Sequence, residues 1–390
     1  MESSGMLGSV LRCLMTLVVI AAAAPALSVE PFVKVPTRAD LASEEDRLWD
    51  DSRDAGTAFR RRGMLVTDPA YVTRLNEMMT DLYPEFGGAI KVRILREVIP
   101  NAMAFPNGDV YISIGLLGRL ENEAQIAMVL AHEGAHFVQR HGYRGRNNIL
   151  AAGALANVAG LTLGLAGALG GQIVFLGGAA GHGRDMEREA DQIGLIRAQK
   201  SGYGRADAKR AFEILRNDSK QSDDPKPMYL FASHPLLDER IETVSAAGGA
   251  LETTRPPSEN FVVMHRKLQL DWLAAEIGAG RQKALVAALE DEDRRANMPP
   301  EAAFYLSEAY RLRANKQDED LASSWLAKAF ALTPNFPPVL RAAGLAAMKE
   351  GTTANAKTFF KQYLELAPDA TDRAFVQSYL SRIEQEGTKQ

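Results

Sequence analysis

His132-Glu133-Gly134-Ala135-His136 places two imidazoles four residues apart with a carboxylate directly after the first. On a helix, positions i and i+4 share a face, so both rings can reach one ion. Zinc takes neutral imidazole nitrogens at about 2.0–2.1 Å, and this spacing supplies two of them without strain. Glu133, one position on from the first histidine, can face an open coordination position and take a proton from a metal-bound water. Gly134 in a helix interior is unfavourable by about 1 kcal/mol relative to alanine, which is explicable if another segment packs closely there. The chain holds only 6 histidines in 390 residues, so their placement is informative.

A catalytic zinc site wants a third protein ligand and keeps a fourth position for water. Glu187-Arg188-Glu189-Ala190-Asp191 is the source to expect. Glu187 and Asp191 are again four apart, so one carboxylate can bind metal while the other supports a ligand. Asp191 would accept a hydrogen bond from the outer nitrogen of a ligating histidine and fix its tautomer. Glu189 points elsewhere on that helix and reads as structural. His141, five residues past His136, rotates off the ligand face of a continuous helix. It reads as structural with His182 and His265, His182 being the best placed of the three to line the pocket. Taken by itself, His234 reads as a loop-capping residue.

Those residues need elements to hold them. Ala70 to Leu82 has helical spacing of apolar residues, after a polar stretch from Glu30 to Gly63 that reads as a leading helix. Ile90 to Val98 alternates as a strand, and Val110 to Ile114 forms a second strand after the turn signal Pro106-Asn107-Gly108. Glu123 to His141 reads as a buried helix carrying the histidine pair, and Arg184 to Gln199 as a charged helix carrying the carboxylates. A polar loop, Asn217 to Lys226, leads to Ser233-His234-Pro235.

Composition frames the rest. Apolar residues at 46% and charged residues at 24% suit a folded protein, and a net charge of −4 without a basic run gives no footprint for nucleic acid. Arg12, the apolar run Leu14 to Ala24 and the small residues through Ala26 and Ser28 read as a cleavable export signal. The lone Cys13 would leave with it, so the exported chain has neither thiol chemistry nor a disulfide. Residues 147–181 hold no charge and many glycines. They read as a buried or membrane-touching helical hairpin, giving a peripheral membrane contact, with true insertion as the alternative. Near the C-terminus, Ala322, Leu326 and Pro334 recur 34 residues later as Ala356, Phe360 and Pro368, the period of tetratricopeptide helix pairs. Gly344 and Ala309 fit the small residue at a helix crossing. An earlier pair, Trp272 to Pro300, is degenerate, and Asp372 to Ile383 would cap the stack.

The ordered motifs resemble a known family, the HtpX-like and CAAX-prenyl-endopeptidase zinc metallopeptidases, and within it the periplasmic BepA-type branch. The resemblance rests on Asn101-Ala102-Met103-Ala104-Phe105-Pro106-Asn107-Gly108 and on Gly115-Leu116-Leu117 ahead of the histidine pair. It rests equally on Arg184 to Asp191, and on Ser233-His234-Pro235 with Arg240. Gln125, where the family has an acidic residue, and Gly183, where it has serine, depart from the pattern without touching the chemistry. The resemblance implies His132, His136 and Glu187 as ligands of one Zn2+ per chain, Glu133 as base and acid, and Asp191 behind the ligands. It sets His234 near the metal, as a reversible latch or a group polarising the carbonyl, and gives Arg240 a role at the oxyanion or in ordering its neighbours.

The fold class expected is α+β and mostly helical, a gluzincin-like metallopeptidase domain with a small β-sheet followed by an α-helical solenoid. The expected divisions are a signal peptide at 1–28, a helical extension at 29–65, the metallopeptidase domain at 66–250 and a tetratricopeptide-like domain at 251–390. A substrate strand would pair along Asn101, Ala102, Met103 and Ala104, reading backbone more than side chains. The function this implies is hydrolysis of unfolded or misassembled proteins in the periplasm, with the repeats docking the outer-membrane barrel assembly machinery. The competing class is a periplasmic chaperone or adaptor that works through the repeats, its protease domain latent.

Overall fold

The computed structural model describes residues 29–151, 183–221, 237–246, 256–257 and 259–387. The export signal, nearly all of the glycine-rich stretch 147–181, and both His182 and His234 lie outside them.

Helix α1 (Ser43–Arg61) and α2 (Pro69–Leu82) precede the sheet. Asp68 starts α2, its carboxylate accepting from the Ala70 and Tyr71 amides, and Pro69 occupies the first turn where no amide is needed. Three strands follow: β1 (Lys91–Leu95), β2 (Ala102–Ala104) and β3 (Asp109–Ser113), in spatial order β1-β3-β2. β1 runs parallel to β3 with Val92 opposite Val110, whereas β2 folds back antiparallel with Met103 opposite Tyr111. The turn between β2 and β3 closes through a Gly108 amide to Phe105 carbonyl bond of 3.0 Å, with Gly108 at φ 85°. The Ile90 to Val98 strand is thus shorter than its alternation suggests, and β2, too short to show alternation of its own, forms within the segment expected to pair with substrate.

Alternation gives this sheet two covered faces. Tyr111, Met103 and Leu95 join Leu48, Ala55 and Phe59 of α1 in one cluster. Val110, Ile112, Ala102 and Ala104 join the main core on the other side, with α2 and α4 (Glu123–Val138). The Asn122 side chain caps α4 by accepting from the Gln125 amide at 3.0 Å, and all its residues are buried. Such a helix cannot show a one-sided pattern, because every face meets protein. Short α3 (Ile114–Arg119) links β3 to it.

Sequence periodicity carries the helix on to His141, but it ends at Val138. Arg140 adopts φ 56° and His141 opens a separate helix, α5 (His141–Ala151). The Arg140 guanidinium bonds to the Glu45 carboxylate and to the Glu30 carbonyl and lies 4.8 Å over the Phe32 ring. Contacts far away in sequence therefore offset the local cost of a left-handed arginine.

The remaining helices are α6 (Arg184–Lys200), α7 (Arg205–Gln221), α8 (Leu237–Ala246) and α9 (Glu259–Gly278), then α10 (Gln282–Glu290) and α11 (Glu292–Ala296). After them come α12 (Ala302–Arg313), α13 (Asp318–Leu332), α14 (Pro337–Lys349), α15 (Thr353–Leu366) and α16 (Arg373–Gly387). The last five pack in sequence-adjacent pairs. At Gly344 an added Cβ would stand 2.5 Å from the Phe360 ring, so α14 and α15 cross where only glycine fits. Pro334 and Pro368 each fall two residues past a helix end.

Helix α9 belongs to two cores. Phe261 and Leu268 sit in the core that holds the histidine pair, while Trp272 and Leu273 begin the core of the C-terminal helices. Arg119 seals this join. Its Nε donates to Asp218 at 2.8 Å, one terminal nitrogen donates to Glu276 at 2.6 Å, and its guanidinium lies 5.0 Å over Trp272. Arg294 also binds Asp218, and Arg281 binds Glu276 at 2.8 Å. His265 adds a neutral link, accepting from the Tyr71 hydroxyl and donating to the Leu120 carbonyl, each at 2.8 Å. Burial holds its pKa down at about 4, which suits that neutral role.

Candidate metal centre

Helix α6 comes close to α4 because Gly194 permits it. A Cβ there would stand 3.0 Å from the His132 amide nitrogen. Glu187 and Asp191 lie seven and three residues before Gly194, on the same face, and so are carried to the histidine pair. On the other side of α4 the Tyr83 ring fills the space that Gly134 leaves, where a Cβ would meet it at 2.2 Å. The glycine in this helix thus has the close neighbour its unfavourable propensity called for.

His132, His136 and Glu187 bring one donor atom each within 4.8 Å of one another, all three buried. The two Nε2 atoms stand 2.9 Å apart, and each lies 3.4 Å from a different oxygen of Glu187. Tetrahedral ligands at 2.0–2.1 Å from zinc are separated by about 3.3 Å, so this donor set fits such an ion with small adjustments. Two imidazoles and one carboxylate are also the donor chemistry that leaves a fourth position open. Glu133, 1% exposed, follows His132 on the same helix.

Behind His132, its Nδ1 donates to Asp191 at 2.9 Å. Arg240 of α8 grips the Asp191 carboxylate through contacts of 2.7 to 3.1 Å. Its guanidinium also lies 4.2 Å over the Phe212 ring of α7. It sits on the Nδ1 side of His132, opposite the Nε2 that meets Glu187. Burial would raise the Asp191 pKa, but the Arg240 charge and the His132 bond outweigh it and keep the carboxylate ionised. For His132, burial and Arg240 press toward the neutral ring, yet the hydrogen bonds to Asp191 and Glu187 hold its pKa up at about 9. The pocket therefore favours positive charge where the donors converge, the place a cation takes.

Two residues read as structural lie closer to this centre than their spacing suggests. His141 Nδ1 stands 2.9 Å from His136 Nδ1, and its Nε2 stands 3.2 Å from Glu189. The break at Arg140 returns His141 to His136, and it falls on a non-glycine residue, with Gly142 only beyond it. Burial holds the His141 pKa down at about 4, although Glu189 opposes the shift. Asn101 to Ala104, the segment expected to pair with a substrate strand, forms β2 and the residue before it. This is an edge strand of the described sheet, against α4. The structure thus brings together His132, His136, Glu187, Asp191 and Arg240, with Glu133 buried next to His132 on α4.

Residues 69–247 match the model of peptidase family M48, a span that holds all of these groups. The chain is 30% identical over 154 residues to the mitochondrial metalloendopeptidase OMA1 of Schizosaccharomyces pombe, covering 40% of this chain and 45% of that protein. It is 29% identical over 241 residues to the beta-barrel assembly-enhancing protease of Escherichia coli K12, covering 56% and 46%. For the putative beta-barrel assembly-enhancing protease of Vibrio cholerae the figures are 27% over 254 residues, 59% and 50%. The chain thus spans about half the length of these curated relatives. Among the described residues no helix is long and apolar enough to cross a membrane. The motif resemblance is borne out for the peptidase domain, and the helices from α9 onward lie beyond the matched span.

Proposed function

We propose that this chain is an exported zinc metalloendopeptidase that hydrolyses unfolded or misassembled proteins in outer-membrane protein quality control. The observation that carries the reading is the convergence of His132, His136 and Glu187 on one point, with Asp191 and Arg240 set behind His132. The names of the two beta-barrel assembly-enhancing proteases support the role in barrel-protein quality control, and the M48 match supports the reaction class.

Asp191 holds the His132 proton on Nδ1, so the lone pair at Nε2 is turned toward the cation. Arg240 acts through Asp191, keeping it charged and in place. A zinc ion bound there supplies Lewis-acid polarisation of the scissile carbonyl and a lowered pKa for the attacking water. Glu133 takes the proton released by that water and hands it to the leaving amine nitrogen. The outer edge of β2, at Ala102 to Ala104, pairs with an extended substrate through backbone hydrogen bonds, which selects unfolded segments over folded ones. The paired helices from α12 to α16 form the tetratricopeptide-like docking surface for a partner of the barrel assembly machinery.

The test is cleavage of an unfolded barrel protein by the wild type, by Glu133→Gln and after chelation. Cleavage by the wild type alone supports the reading. Equal cleavage by Glu133→Gln would remove Glu133 from the chemistry.

A further inference from the structure

The two metal-facing imidazoles are anchored by different partners. His132 presents Nδ1 to a carboxylate, Asp191, at 2.9 Å. His136 presents Nδ1 to a second imidazole, with His141 Nδ1 at 2.9 Å. His141 in turn presents Nε2 to Glu189 Oε2 at 3.2 Å, and an Arg144 terminal nitrogen donates to that same oxygen at 3.0 Å.

Bond directions along this chain follow from the metal-facing end. For His136 to offer a lone pair at Nε2, its proton must sit on Nδ1, where it donates to His141. His141 Nδ1 must then accept, so a neutral His141 carries its proton on Nε2 and donates it to Glu189. Glu189 accepts this bond and the one from Arg144, and no step places two donors or two acceptors face to face. Every group has one consistent tautomer, and that tautomer points His136 Nε2 at the donor cluster.

We infer that His141 is a positioning residue for the metal centre, forming with Glu189 and Arg144 a relay that locks His136 in its metal-binding tautomer. The inference rests on the metal reading proposed above. Three helices meet in the relay: His136 comes from α4, His141 and Arg144 from α5, and Glu189 from α6. The left-handed Arg140 sets the angle between α4 and α5, and its own contacts to Glu45 and Phe32 hold that angle. His141 is 0% exposed and meets the His136 ring edge to face at 4.9 Å, so neither ring can turn without moving its neighbour. The outer end of the relay is open, with the Arg144 and Glu189 side chains 30% and 36% exposed. That end can be altered without opening the core.

The relay makes a graded prediction. In His141→Asn the amide oxygen falls near the position of Nδ1 and still accepts from His136, whereas His141→Leu offers no acceptor. Partners behind metal-binding histidines are typically worth 10- to 100-fold in metal affinity. The experiment measures Zn2+ affinity of the purified full-length chain by chelator competition, and the melting temperature of each metal-free variant beside it. His141→Leu is expected to bind zinc about 10- to 100-fold more weakly, and His141→Asn to stay within about threefold of wild type. Glu189→Leu, at the exposed end, is expected to weaken binding about tenfold while leaving the metal-free melting temperature unchanged. Wild-type affinity in His141→Leu, equal losses in the leucine and asparagine variants, or wild-type affinity in Glu189→Leu would each overturn the relay. If His141→Leu does not fold, the Glu189→Leu result decides. A wild-type chain that binds no zinc would instead overturn the metal reading beneath it.

Discussion

Replacing Gly134 by alanine sets two effects of opposite sign against each other at the metal-binding helix. Alanine is favoured over glycine in a helix interior by about 1 kcal/mol, so propensity alone makes Gly134→Ala stabilising. Packing opposes it, since the new Cβ would lie 2.2 Å from the nearest Tyr83 ring carbon and 2.8 Å from two more. Carbon contacts settle near 3.5–4.0 Å, so the ring must retreat by more than about 1 Å. It has little room, because its hydroxyl donates to the Ala131 carbonyl at 2.5 Å and Arg197 lies 4.8 Å over its face. Overpacking of this kind costs about 1–3 kcal/mol, and the rigid ring places it at the upper end. The net expectation is destabilisation by about 2 kcal/mol, read as a lower urea midpoint at unchanged slope. A second background separates the effects. Tyr83→Ala is costly in itself, but it removes the obstruction, so adding Gly134→Ala there should stabilise by up to about 1 kcal/mol. If Gly134→Ala destabilises equally in both backgrounds, the clash with Tyr83 is not the reason this helix carries a glycine.

Two further expectations concern the buried charges that join the cores. Arg119→Leu strips one cation from both Asp218 and Glu276, which keep Arg294 and Arg281 respectively. The loss in urea unfolding should be about 3 kcal/mol, the lower end for breaking a buried ion pair, and under about 1 kcal/mol would refute the role given to Arg119. For Asp218, burial raises the pKa, but Arg294 and Arg119 outweigh it and hold the folded value below the usual carboxylate range. Its contribution is therefore fully present above the unfolded pKa of about 3.9 and is lost as pH falls through the folded value. The melting-temperature gap between wild type and Asp218→Asn should be widest near neutrality and should close below about pH 4. A gap that widens on acidification would reverse the assigned sign.

The sequence yields most of the centre and less of its surroundings. His132, His136, Glu187 and Asp191 are legible because four-residue spacing on a helix has one geometric meaning, whatever the rest of the fold does. Gly134 is legible as a demand for a close neighbour, though not for Tyr83, which lies 51 positions earlier. The strand β2 is hidden from periodicity because Ala102, Met103 and Ala104 are too few to show alternation, and only the motif resemblance points to that segment. His141 is misplaced because the periodicity argument assumes an unbroken helix, and the break is held by Glu45, Glu30 and Phe32 from about 100 residues away. The Arg119 to Glu276 pair spans 157 residues, and no local pattern could announce that α9 would serve two cores. Local rules thus found the residues that act through spacing, and missed those placed by tertiary contacts.

The most direct test of the account is zinc content measured beside peptide cleavage in the wild type, Glu133→Gln and Glu187→Ala. The account predicts one zinc per chain in the wild type and in Glu133→Gln, weakened zinc binding in Glu187→Ala, and cleavage by the wild type alone. A wild type without zinc, or a Glu133→Gln variant that still cleaves, would contradict it.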